Sequence, residues 1–459
     1  MKKKVTNKIL WIFAIGQLGW SMLSGIVSNW LVFYYMPENS EIANGQKLFI
    51  TQTSIFLGLT VIGLITAIGR IFDAVTDPWI ASKSDRCHHK FGRRMPFMHA
   101  VAIPFSAVTV LVFISPASEI SWINNLTLLV TLLLFYLFMT IYCTPYNALI
   151  PELGKDPKAR INVSTYISVT FFVGNAISYL VPNIAGIFRD SMGYANSFRL
   201  TVGILAGVAC VCMLIPPFLI KEKDYVDTTP SETPAFASLS KTFKNREFRK
   251  FVASDIFYWV ALTMFQTGLS FYIVTLIGLE SDKTFLLFAV MTGMSLVFYA
   301  PVNILAKKMG KKKLVMGAFI FFSLVFLFTA FAGKLGLPKM VNGIAISVLA
   351  AIPMAILGIL PQAIIADIAQ ADSIKTGESR EGMFFAARTF AMKLGQALAM
   401  VLFTSIKGIG GNGFGLRLTA AVAAVFCLTG GLVLRLYKEK DVTKIIAEGT
   451  ENTDNTEAE

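Results

Sequence analysis

Long apolar runs alternate with short polar segments along the whole chain. A helix that crosses a bilayer needs ~20 mostly apolar residues, because in lipid its backbone can satisfy its hydrogen bonds only internally. That rule predicts twelve spans, at roughly 9–36, 49–82, 96–115, 123–150, 161–187 and 198–220, and then 250–278, 284–306, 313–333, 341–368, 383–406 and 415–437. Lys2, Lys3 and Lys4 precede the first run. This run is far longer than the ~7–15 residues of a signal-peptide core and has no small-residue cleavage site, so it reads as a retained span.

The polar segments divide the chain. The longest, between Lys221 and Lys250, carries Thr228-Thr229-Pro230-Ser231-Glu232-Thr233-Pro234, a composition that favours a flexible linker. It places six predicted helices in residues 1–220 and six in 250–438, joined by a cytoplasmic linker at 221–249. Residues 439–459, rich in Asn, Thr, Asp and Glu, are expected to form a disordered cytoplasmic tail. The fold class is thus all-α and integral to the membrane, with twelve helices in two six-helix halves. In that architecture a solute site forms near the midplane, between the halves, and rocking exposes it to each side in turn.

Lys and Arg in short loops favour the cytoplasm. Lys2 to Lys4, then Lys83, Arg86, Lys90, Arg93 and Arg94, then Lys155, Lys158 and Arg160, then Lys307, Lys308 and Lys311 to Lys313 fall in alternate segments, and the loops between them are nearly bare. Both termini are therefore predicted inside. Composition agrees: 55% of residues are hydrophobic and 15% charged, against about 45–50% and about 25% in a soluble domain. The net charge of +13 is explained by the topology of the loops, which removes the reason to invoke nucleic acid. Cys87, Cys143, Cys210, Cys212 and Cys427 form no disulfide framework or metal-type pair and read as small buried hydrophobes.

A charge inside a span costs about 3 kcal/mol on insertion scales, so each one is a functional candidate. Arg70, Asp73 and Asp77 fall in the second span at offsets of three and four, which puts them on one helical face. Two carboxylates at that spacing repel in a low dielectric, so the site must hold a proton or accept a metal cation, with Arg70 offsetting part of the charge. An Arg–Asp pair that merely pins two helices is the competing reading. Lys393 stands alone in the apolar eleventh span and calls for a carboxylate partner across the interface, Asp73 or Asp77. A cation arriving at the aspartates would compete with that ammonium, giving a two-state element that ligand binding can bias. Arg388, nearer the cytoplasmic end of the same span, is better placed than Lys393 to snorkel.

Uncharged polar residues also line up. Gln17, Ser21, Ser24 and Ser28 follow 4, 3, 4 spacing in the first span, and Trp259, Thr263, Gln266 and Ser270 repeat it in the seventh. Such stripes serve helix contacts or a hydrophilic cavity wall, and their matching positions in the two halves favour the cavity. Trp20, Tyr146 and Trp259 can stack on a sugar ring or simply pack. Asn147, Ser168 and Gln396 complete the candidate cavity set.

The run Gly69-Arg70-Ile71-Phe72-Asp73-Ala74-Val75-Thr76-Asp77-Pro78, with Ser84-Asp85-Arg86 and Phe91-Gly92-Arg93-Arg94-Met95-Pro96-Phe97, resembles the signature of the glycoside–pentoside–hexuronide:cation symporters of the major facilitator superfamily. Ala366-Asp367, Asp372, Lys375-Thr376-Gly377-Glu378-Ser379-Arg380-Glu381-Gly382-Met383-Phe384-Phe385, Pro145-Tyr146-Asn147-Ala148-Leu149 and Lys393-Leu394-Gly395-Gln396 extend the likeness over both halves. The resemblance implies solute uptake driven by Na⁺, H⁺ or Li⁺, with Asp73, Asp77 and Thr140 at the cation site and Lys393 matching the family's helix-eleven lysine. The chain departs from the melibiose-carrier branch at Cys143, Leu18 and Ser168, where that branch has a third aspartate, a sugar-gripping acid and an arginine. One carboxylate fewer weakens the case for a metal ion relative to a proton. Asp85, Arg86, Arg93, Arg94, Asp367, Lys375 and Glu381 fall where the fold places cytoplasmic gate charges.

The expected function is cation-coupled symport of a sugar, glycoside or sugar acid in the cell (inner) membrane. The partners are a small solute, Na⁺ or H⁺, and the bilayer, with no cofactor and a monomeric chain. Carriage of a lysolipid or other amphiphile, and a non-transporting sensor with the same fold, are the alternatives. His88, His89 and His99 lie at or beside one loop and supply no catalytic or metal set for an enzyme.

Overall fold

The computed structural model describes residues 3–56, 58–153, 157–226, 242–376, 381–411 and 413–457. Thr228 to Pro234 of the expected linker, with Lys155 and Gly377 to Arg380, lie outside the described residues. Among the rest, twelve principal helices follow one another: α1 Asn7–Tyr35, α2 Val61–Asp85, α3 Met95–Leu111, α4 Trp122–Leu153, α5 Pro157–Ser178, α6 Tyr194–Leu219, α7 Arg246–Phe271, α8 Lys283–Met309, α9 Lys311–Ala330, α10 Lys339–Thr376, α11 Glu381–Lys407 and α12 Phe414–Leu434. By length and composition ten described helices can cross a bilayer. The charge-bearing α2 and the 17-residue α3 complete the set.

The ends differ from expectation in three places. The second span was expected to begin near residue 49, yet α2 begins at Val61, after a short hairpin pairing Ser54–Phe56 with Leu59–Thr60. Thr60 is its N-cap, and its hydroxyl accepts a hydrogen bond from the Gly63 amide at 3.2 Å, satisfying one of the orphan donors of the first turn. The fifth span is broken at Tyr179–Leu180 and continues as Val181–Met192, where Pro182 is pre-set for a first helical turn. The tail is not disordered from residue 439 onward: Glu439–Glu457 is a helix, α13. The Glu439 carboxylate accepts from the Lys311 and Lys312 amides at 2.8 and 3.2 Å and so caps α9, while Val442 is buried on the body of the protein.

Packing makes two bundles. In the first, α1 lies against α5 and α6, and α4 against α2 and α3; in the second, α7 lies against α11 and α12, and α9 against α10 and α12. The halves meet chiefly through α2 and α11, with smaller contacts of α1 with α7 and α5 with α8. Outward-facing Ile103, Val211, Leu219, Val297 and Leu432 are more than half exposed, which suits lipid rather than water. The first stretch of the linker is ordered. Glu222 is buried, and its carboxylate accepts from the Arg94 and Met95 amides at 2.8 and 2.9 Å, capping α3. Gly92 makes this possible, since its φ of +122° disfavours a side chain and any Cβ there would run into Glu222.

Candidate functional site

α2 carries Arg70, Asp73 and Asp77 to the seam between the halves, and α11 brings Lys393 against them. The Lys393 ammonium sits 2.9 Å from Asp73 Oδ1 and 2.6 Å from Asp77 Oδ2. Two hydroxyls from α4 complete the cluster: Thr140 donates to Asp73 Oδ1 at 2.8 Å and Thr144 to Asp77 Oδ1 at 3.2 Å. Thr140 also lies 3.5 Å from the Thr76 hydroxyl. Asp73 is fully buried, yet among the described residues its Oδ2 has no hydrogen bond, and the Arg70 guanidinium lies 4.0 Å from it. Arg70 itself donates to Ser28 at 3.3 Å and lies over the Tyr136 ring. Carboxylate and hydroxyl oxygens are hard donors, which suit a hard cation or a proton.

The cluster borders a cavity of about 460 Å³ between the halves. Of the residues expected to line it, Ser21, Asn147, Trp259, Gln266 and Gln396 do, with Ser24, Ser28 and Thr263 from the two polar stripes. Three do not. Gln17 is buried outside the cavity wall, where α1 presses so closely on its neighbours that a Cβ on Gly16 would meet Pro216 and Tyr142. Tyr146 is fully buried, stacks on Phe13 at 4.1 Å and donates its hydroxyl to the Phe13 carbonyl. Ser168 is exposed off the cavity wall, because α5 turns Phe171, Phe172 and Asn175 inward instead.

Arg388 does not snorkel. It is buried and grips Asp255 of α7 through two bonds, Nε to Oδ2 at 2.7 Å and Nη2 to Oδ1 at 3.0 Å. The Trp259 indole N–H donates to the same carboxylate at 3.1 Å, which fixes one aromatic wall of the cavity. Sequence reasoning passed over Asp255, although a lone acid inside the predicted span 250–278 was the signal that would have found it. Of the five cysteines only Cys427 is buried; the other four are half-buried, and all are free.

The two ends of the cavity are built differently. At the end remote from the basic loops the halves hold each other: Lys407 pairs with Glu38 at 2.8 Å and donates to the Met36 carbonyl, Asn183 donates to the Asp282 carbonyl, and Phe33–Phe271 and Tyr179–Phe288 make ring contacts. Gly63 meets Thr404 so closely there that a Cβ has no room. At the opposite end, the pairs found among the described residues join groups of the same half: Arg93 and Arg94 with Glu152 at 2.8 and 2.7 Å, and Lys311 with Asp367 at 2.5 Å. Arg86 and Lys375 are exposed, and the side chains of Asp85 and Glu381 lie outside the described residues.

A family model described as MFS/sugar transport protein matches residues 12–438. The chain belongs to that family. Its members are transporters rather than enzymes, and a multi-pass membrane protein is what the helices describe. Among relatives, the lactose permease of Lactobacillus delbrueckii subsp. bulgaricus is 22% identical over 95% of this chain and 67% of its own length. The isoprimeverose transporter of Lactiplantibacillus pentosus is 22% identical over 89% of this chain and 79% of its own. Solved structures of the nucleoside transporter NupG (TM-score 0.68, 10% identity, covering 94% of this chain and 100% of that one) and of a D-xylose–proton symporter (TM-score 0.63, 14% identity, 91% and 96%) share the fold of this MFS/sugar transport protein.

Proposed function

We propose that this chain carries a sugar, glycoside or sugar acid in symport with Na⁺ or H⁺ by alternating access, as a monomer in the cell (inner) membrane, with both termini cytoplasmic and no cofactor. One observation carries the reading: an ammonium from one half is bonded to two carboxylates of the other, at the edge of the cavity that divides them. A cation that displaces Lys393 changes the contact between the halves, so binding and conformation are coupled through a single contact. The relatives named for lactose and isoprimeverose support a carbohydrate. So do the Ser, Asn, Thr and Gln side chains around the cavity, which match hydroxyl groups, set among aromatic walls that suit a sugar ring.

With the basic loops on the inside, the locked end faces outward and the cavity opens to the cytoplasm. The test is uptake of labelled sugars, glycosides and uronates into proteoliposomes with imposed Na⁺ or proton gradients. Gradient-driven accumulation that disappears in Asp73→Asn supports symport. Transport that ignores both gradients overturns it.

A further inference from the structure

We propose that Trp259, Thr263 and Gln396 form a subsite for the solute's ring, a stacking face beside a pair of hydroxyl-accepting groups, and that Asp255, gripped by Arg388, is the positioning residue that fixes the Trp259 ring. The inference rests on the symport reading above and assigns the ring to the second half of the molecule.

The placement follows from the register of two helices. Asp255, Trp259 and Thr263 recur at offsets of four on one face of α7, as Arg388, Met392 and Gln396 do on α11. Asp255 meets Arg388, and twelve residues further along both helices the Thr267 hydroxyl donates to Met400 Sδ at 3.5 Å. The two helices therefore run parallel in constant register, which sets Thr263 level with Gln396. At ~1.5 Å of rise per residue that level is about 6 Å beyond Trp259 along the axis, within the reach of one sugar ring.

Thr263 and Gln396 are unspent. Both line the cavity, and among the described residues neither the buried Thr263 hydroxyl nor the Gln396 amide oxygen has a hydrogen-bond partner. On the facing wall, Ser28, Thr140 and Thr144 are bonded to the charged cluster instead. A buried polar atom left unpaired is costly, and both of these can accept a hydrogen bond, so the group they take is a donor such as a ring hydroxyl.

Trp259 is held on several sides. Its indole N–H donates to Asp255 Oδ2 at 3.1 Å, the Arg388 guanidinium lies 5.9 Å from its ring centroid, and a Cβ on Gly395 of α11 would meet Trp259 Cβ at 3.4 Å. Asp255 and Arg388 are not among the residues lining the cavity, so they act on a solute through Trp259. With its N–H spent behind the wall, the indole offers the cavity an apolar face, which suits the C–H face of a pyranose.

The test uses the full-length purified protein and thermal shift, with xylose, glucose, galactose and their methyl glycosides as probes, with and without Na⁺ and at two pH values. The tightest binder is then titrated against the variants. Trp259→Leu is expected to weaken it at least about ten-fold, and Thr263→Val and Gln396→Leu about five-fold each. Monodeoxy analogues of the same sugar locate the hydroxyl: the analogue that binds worst to the wild type is expected to lose little further in Thr263→Val or Gln396→Leu. Positioning is read from a cycle. Asp255→Leu with Arg388→Met is expected to weaken the sugar about five-fold in the wild-type background, but less than about two-fold on top of Trp259→Phe, which has no N–H to hold. The Trp259, Thr263 and Gln396 variants stand by themselves if the Asp255 and Arg388 replacements do not fold.

Unchanged affinity in a folded Trp259→Leu overturns the subsite, as does a deoxy penalty that persists undiminished in both Thr263→Val and Gln396→Leu, or binding of none of the probes. Equal losses in the two backgrounds of the cycle overturn the positioning role of Asp255. Sugar binding that depends on Na⁺ or pH but ignores all these variants leaves symport intact and overturns only the subsite, whereas sugar binding that ignores both Na⁺ and pH removes the symport reading beneath it.

Discussion

Two buried charge clusters sit on the same helix and do opposite things. Arg388 of α11 meets Asp255 within the second half, in a fork that satisfies both carboxylate oxygens and is reinforced by the Trp259 indole. Lys393, less than two turns further along, meets Asp73 and Asp77 across the seam, sharing one ammonium between two carboxylates and leaving Asp73 Oδ2 without a hydrogen bond. The first cluster is saturated and has nothing to gain by rearranging. The second is neutral with Arg70 but leaves one acid oxygen without a hydrogen bond, so on the proposed reading an arriving cation finds oxygen ligands and an ammonium it can replace. On the reading proposed above, the saturated pair is a strut and the unsaturated one a switch, and the two differ in the count of donors against acceptors rather than in residue type.

Asp73→Asn or Asp77→Asn breaks the comparison most severely. Either change is expected to abolish cation-driven accumulation, with transport falling about 100-fold or more, the size of a loss of roughly 2.8 kcal/mol in cation binding. Accumulation assayed with the protein at equal membrane abundance checks it, and retained cation dependence in both variants would remove the aspartates from the site. In the other cluster, Asp255→Ala leaves Arg388 buried without its fork and is expected to cost about 3 kcal/mol of stability. The Asp255→Leu, Arg388→Met double variant is expected to recover most of that loss and to keep its cation response. Thermal unfolding reads both effects, and a double variant that loses the cation response would make the strut part of the switch.

The smallest expected effect is at the end remote from the basic loops, where Glu38→Gln removes one charge of the Lys407 pair. A loss of about 1 kcal/mol shifts the balance of conformations about five-fold, which should appear as a longer-distance population between spin labels at positions 183 and 282. An unchanged distance distribution would mean that the remaining contacts, the Lys407–Met36 bond and the aromatic pairs, hold that end closed without the ion pair.

Much of this was legible in the sequence because lipid makes strict demands. Span length, loop charge and the cost of an intramembrane carboxylate allowed the twelve helices, the two halves and the Asp73–Asp77–Lys393 cluster to be expected from residues alone. What escaped depends on rotation and on distant partners. Gln17 belongs to a stripe whose other members Ser21, Ser24 and Ser28 face the cavity, but periodicity does not say where along a helix the cavity ends. Tyr146 and Ser168 were misplaced for the same reason, since helical phase is fixed by packing against neighbours. The tail was read as disordered from its polarity, whereas Glu439 finds the amides of Lys311 and Lys312, more than a hundred residues earlier, and Val442 an apolar surface.

The central claim, that Lys393 occupies the place of the coupling ion, is tested most directly by titrating Na⁺, Li⁺ and protons against the thermal stability of wild type and Lys393→Met without solute. With the competing ammonium gone, the coupling ion is expected to bind at least about ten-fold more tightly in Lys393→Met than in the wild type. Cation affinity that is unchanged or weaker in a folded Lys393→Met would contradict the account.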